Sequence, residues 1–207
     1  MIKIENSKKF QEIVRDIKKK DFNKALEKTK YLSQDYPKNN TILKLYASIY
    51  FNLSDWKKAI EYYEKILFEE KDKFKIYTNI GVALFKLGKI NHSIKLFEEA
   101  IENNPSFDLA YNNLGISYLE IAIFDKAIEN FISALKLNET NLNAEKNLIN
   151  VLTLMKPNNK KKHSLIELDY HISQIENNNL DLRFFDEKKM KIILEESLQL
   201  IGNFKKK

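Results

Sequence analysis

Asn79, Asn113 and Asn147 stand 34 residues apart, and the equivalent place one step earlier is Leu45. A carboxamide carries both a donor and an acceptor, so a regular row of them can hold an extended backbone with little regard to its side chains. The same asparagines could instead bond neighbouring helices, or simply reflect an Asn-rich chain, and both readings stand at this point. Other reactive groups offer less. His92 falls where a helix should meet water, and His163 lies among lysines. Asp169 and His171 mimic two ligands of a non-haem iron triad in reverse order, but two residues apart on a helix they face different ways, and no second histidine completes the set. Gly81, Gly88 and Gly115 form no phosphate-cradling loop, and there is no cysteine. A non-enzyme that needs no metal or cofactor is expected.

The elements that would position the asparagines follow from the same period. Tyr111, Leu114, Gly115, Tyr118, Ala127, Phe131 and Ala134 recur one step earlier as Tyr77, Ile80, Gly81, Leu84, Ser93, Phe97 and Ala100. One step earlier again stand Leu43, Tyr46, Ala47, Tyr50, Ala59, Tyr63 and Ile66. Within each copy the large residues fall at i, i+3 and i+7, then at i, i+4 and i+7, which predicts two amphipathic helices per unit. Gly115 and Ala127 are small enough to mark a close helix crossing. Gly88 and Ser54-Asp55 mark the turn between the helices, and Pro37 and Pro105 the end of a unit.

This pattern resembles the tetratricopeptide repeat, whose W-x2-L-G-x2-Y…A-x3-F…A…P signature is met by Tyr77, Ile80, Gly81, Leu84, Ser93, Phe97, Ala100 and Pro105. The resemblance implies an all-α fold, an α-α superhelix of helix-turn-helix repeats. Units are expected at 40–73, 74–107 and 108–141, with Lys71 and Glu139 where proline would stand. A degenerate unit is expected at 6–39, where Thr29 replaces an aromatic and Phe10, Ile13, Val14 and Ile17 read as shifted by about one residue. Leu142, Leu148, Ile149 and Leu152 continue the register as one more helix over 142–155. In this family the first helix of each unit lines the concave side, so Asn79, Asn113 and Asn147 would face a groove. Val82, Phe85, Ile116 and Leu119 would be its apolar floor, with Lys44 and Lys75 toward one end. The carboxylate-clamp members that dock chaperone tails are matched at Lys44 and Asn79, but Ser48, Leu109 and Asn113 depart from them, so chaperone docking is not expected.

The remaining residues differ in kind. Lys156 to His163 form a charged linker that breaks the register. Ser164 and Glu167 then read as a capping box before an apolar stripe of Leu165, Leu168, Ile172 and Ile175. Leu180, Leu182 and Phe184 alternate, and a last helix carries Met190, Ile193, Leu194, Leu198 and Ile201. The segment 164–207 would either cap the solenoid, as terminal repeats must, or begin a further domain. The second reading makes the chain a targeting module of a glycosyltransferase, sulfotransferase or 2-oxoglutarate oxygenase system. A net charge of +6 suggests no nucleic-acid partner, because Arg15 and Arg183 are the only arginines and arginine dominates base and phosphate readout. No apolar run approaches the ~18 residues of a membrane span, and the N-terminus lacks a signal-peptide core. A soluble cytoplasmic scaffold for a protein or extended peptide is expected.

Overall fold

A computed structural model describes residues 4–37 and 39–154; the expected linker and the segment 164–207 lie outside the described residues. The described chain is helical throughout: a short 3-10 turn at Ile4–Asn6, then α1 (Lys8–Lys18), α2 (Phe22–Asp35), α3 (Asn40–Asn52), α4 (Trp56–Leu67), α5 (Lys73–Lys86), α6 (Ile90–Asn103), α7 (Asp108–Glu120), α8 (Phe124–Leu137) and α9 (Leu142–Leu154). None of these helices is long and apolar enough to cross a membrane. The chain divides into two compact units, Met1–Pro105 and Ser106–Lys207. In the first, each helix from α1 to α6 packs on its sequence neighbour; in the second, α7 packs on α8, and both pack on α9.

Four turns repeat one geometry. Lys20, Ser54, Gly88 and Ala122, each 34 residues from the next, adopt φ values of 62°, 60°, 73° and 58°. Immediately after them the backbone N–H of Asp21, Asp55, Lys89 and Ile123 donates to the carbonyls of Asp16, Tyr50, Leu84 and Tyr118, each at 2.9 Å. That six-residue closure around a left-handed residue satisfies carbonyls the ending helix leaves open. Only Gly88 is free of the Cβ penalty there. The following helix is capped where chemistry allows: Asp21 accepts from Lys24 N–H at 3.4 Å and Asp55 from Lys58 N–H at 3.3 Å. Lys89 and Ile123 provide no side-chain cap.

The close crossing is present as the small residues require. A Cβ on Gly115 would lie 2.6 Å from the Phe131 ring and 3.1 Å from the Ala127 carbonyl, and a Cβ on Gly81 would lie 2.6 Å from Phe97. Phe97 and Phe131 are almost wholly buried, each worth about 1.5–3 kcal/mol in apolar burial. The expected one-residue shift in the first pair is not found. Its turn at Lys20 is in register, and Ile13 and Asp16 are buried at the positions of Ala47 and Tyr50. The motif reads as displaced because Ile13 occupies the small-residue place and Thr29 the aromatic place, both fully buried. The Thr29 hydroxyl is satisfied by the Ala25 carbonyl at 2.7 Å.

Candidate functional site

The first helix of each hairpin carries the candidate residues. On α5, Lys75, Asn79 and Val82 fall at i, i+4 and i+7, one stripe of the helix; Asn79, Val82 and Phe85 are half-buried and Lys75 is exposed. On α7, Asn113, Ile116 and Leu119 are half-buried in the same register. The side-chain amides of Asn79 and Asn113 make no hydrogen bond among the described residues, so their donors and acceptors remain available. Backbone support comes from beside them: the Thr78 hydroxyl donates to the Phe74 carbonyl at 2.8 Å, and the Ser117 hydroxyl to the Asn113 carbonyl at 3.1 Å.

Asn147 behaves differently. Half-buried on α9, it donates from Nδ2 to Oδ1 of Asn112 at 3.0 Å, and Asn112 is itself buried. An amide bonded to a buried amide ties two helices together, so of the three asparagines this one acts structurally. Sequence reasoning missed Asn112 because its place in the repeat holds Lys44, Thr78 and Asn112 in turn, with no recurring chemistry.

Lys44 and Lys75, the two cations of the candidate face, are both engaged. Lys44 Nζ lies 2.6 Å from Oε1 of Glu70, and Lys75 Nζ lies 2.9 Å from Oδ2 of Asp72. The loop carrying those carboxylates also sends Glu69 to the Asn40 amide, and Glu5 accepts from the Thr41 hydroxyl at 2.8 Å. Two further apolar residues recur at the repeat position of Phe85. Ile17 on α1 and Phe51 on α3 hold the register of Phe85 and are half-buried against the core. Stepping back from Phe85 by the repeat period would have found them. Among the described residues no cluster of His, Cys, Asp or Glu is arranged to hold a metal ion, and His92 is exposed.

Helix hairpins repeating around left-handed turns at Lys20, Ser54, Gly88 and Ala122, with Gly81 against Phe97 and Gly115 against Phe131 in two of them, define a helical-repeat protein. The chain carries tetratricopeptide repeats: models of that repeat match residues 45–67, 74–107 and 96–129. The fold is similar to that of MamA (residues 41 to the end) from Desulfovibrio magneticus RS-1, with 18% identity, 83% of this chain and 94% of that chain covered, and a TM-score of 0.62. It is also similar to a chain of the APC/C hetero-tetramer Cut9-Hcn1 (18% identity, 68% of this chain and 28% of that chain covered, TM-score 0.62). The first TPR of Spaghetti (RPAP3), solved with an HSP90 peptide, matches at 22% identity over 57% of this chain and 94% of that chain, with a TM-score of 0.53. No curated protein matched the chain in sequence.

Proposed function

We propose that the chain is a non-catalytic protein-interaction scaffold that holds an extended peptide or protein segment on the first-helix faces of its repeats. The observation that carries this reading is the pairing, on α5 and again on α7, of a half-buried carboxamide without an internal hydrogen bond (Asn79, Asn113) with half-buried apolar neighbours (Val82 and Phe85, Ile116 and Leu119). Carboxamides can bond a ligand backbone from either side, and the apolar floor gains by shedding water. Similarly folded proteins hold peptides: the Spaghetti repeat binds an HSP90 peptide, and the TPR2B domain of yeast Sti1 is in complex with an Hsp70 peptide.

The test is a random peptide library selected on the intact chain, then on Asn79→Ala/Asn113→Ala. Each backbone hydrogen bond lost is worth about 0.5–1.5 kcal/mol, so selected peptides should bind the double variant about tenfold more weakly or worse. Lys95→Ala and Glu129→Ala, exposed on the second helices, should change little. Equal binding by the folded double variant would move the ligand to another surface.

A further inference from the structure

The two cations of the candidate face in the first unit are each paired with a carboxylate from within the chain. Lys44 is 49% exposed, and its counter-ion is supplied from within the chain by Glu70, 23% exposed, across 2.6 Å. Around the same end of α3, Glu69 engages Asn40 and Glu5 engages Thr41. Three carboxylates therefore converge on the first turns of one helix whose only lysine in that stretch is already paired. Along α1, α3 and α5 the residues in register are Ile17, Phe51 and Phe85, half-buried and uncharged.

We propose that this face selects an uncharged segment bearing apolar side chains, and that Glu70 is the specificity residue that turns acidic segments away by occupying Lys44. The proposal rests on the peptide-binding reading above and deepens it. An incoming carboxylate must displace Glu70 from Lys44 and approach Glu5 and Glu69, a like-charge juxtaposition that discriminates by repulsion as much as by lost attraction. An uncharged segment meets neither cost. If Glu70 is neutralised, Lys44 becomes a free cation on the face and the preference should move toward acid.

The experiment compares two fluorescein-labelled synthetic peptides that share their Leu and Ala positions and differ only in carrying Gln or Glu between them, titrated into the intact chain. The Gln peptide should bind about threefold or more tightly than the Glu peptide, the scale of a partly exposed ion pair, and high salt should narrow the gap. Glu70→Gln should shrink or invert the ratio, and Lys44→Met added to it should remove that shift. Lys71→Gln, on the same loop but outside the pair, should leave the ratio as it was. A Glu peptide that binds the unaltered chain as well as the Gln peptide, or a ratio indifferent to Glu70→Gln, overturns the assignment while leaving the peptide face intact. If neither peptide binds, the peptide-binding reading falls and this one with it.

Discussion

The first helix pair, α1 with α2, and the pair α7 with α8 build the same turn and fill the contact between their helices with opposite residues. In α7–α8 the crossing places Gly115 under the Phe131 ring, so close that a Cβ would clash. In α1–α2 the corresponding places hold Ile13 and Thr29, both fully buried, so the bulk has moved from the second helix to the first. A second exchange accompanies it. Where α3 and α4 stack Tyr50 on Tyr62 with centroids 5.5 Å apart, the first pair sets Asp16 against Lys28 at 2.7 Å. The backbone period is kept while the chemistry at its contacts is traded pairwise. A repeat therefore constrains the sum of two side chains more tightly than either one, as dense interior packing requires.

The largest effect should come from forcing that trade one side at a time in α7–α8. Phe131→Thr leaves a cavity and should cost about 3–5 kcal/mol, and Gly115→Ile overpacks against the ring for about 1–3 kcal/mol or more. Together they recreate the Ile13 and Thr29 arrangement, so the double variant should be more stable than the sum by about 1–3 kcal/mol. Urea midpoints of the four proteins measure the coupling; strict additivity would mean that the two places do not share one volume.

How much of this was legible in the sequence follows from the same exchange. Where Gly81 faces Phe97 and Gly115 faces Phe131, the signature could be read directly, and with it the hairpins and their turns. In the first pair, a residue-by-residue pattern interpreted the swapped Ile13 and Thr29 as a slip of register, because a motif scores positions singly and packing acts on pairs. The candidate face was legible only where chemistry recurs with the period. Asn79 and Asn113 do recur, but the anchoring of Asn147 by Asn112 and the capture of Lys44 by Glu70 join unlike residues through helix packing and a loop. No periodic signal carries contacts of that kind.

The asparagines provide the next comparison, between a structural and a free carboxamide. Asn147→Ala strands the buried Asn112 oxygen and should destabilise by about 1–3 kcal/mol. Asn79→Ala and Asn113→Ala break no side-chain bond among the described residues and should stay within about 0.5 kcal/mol. Thermal melts decide it, and equal losses at all three would contradict the division.

Among the turns, Gly88 and Ala122 share one left-handed conformation and differ by a single methyl group. Gly88→Ala should cost about 1–2 kcal/mol. Ala122→Gly should stabilise by up to about 1 kcal/mol, since relief of strain exceeds the added freedom of the unfolded chain. A loss of stability in Ala122→Gly would show that the Ala122 methyl group packs usefully, reversing the ranking of the two turns.

The smallest effect belongs to the ion pair that distinguishes the first hairpin. The Lys28 ammonium beside Asp16 holds that carboxyl below the usual range, through hydrogen bonding first and against the opposing effect of burial. The sign follows from linkage. A carboxyl whose pKa is lower folded than unfolded contributes stability above its ordinary value of 3.8, and that contribution is lost as pH falls through the folded value. Asp16→Asn should therefore lower stability at neutral pH and flatten its decline in acid. Asp16→Leu/Lys28→Leu, which places in the first hairpin the residues that Leu84 and Leu96 provide two hairpins further on, should match or exceed the parent, because a well-packed apolar pair commonly replaces a buried ion pair without loss. Stability profiles from neutral pH down to about pH 3 distinguish the cases. A double variant clearly weaker than the parent would mean that the first hairpin needs its charges for reasons other than filling the space between its helices.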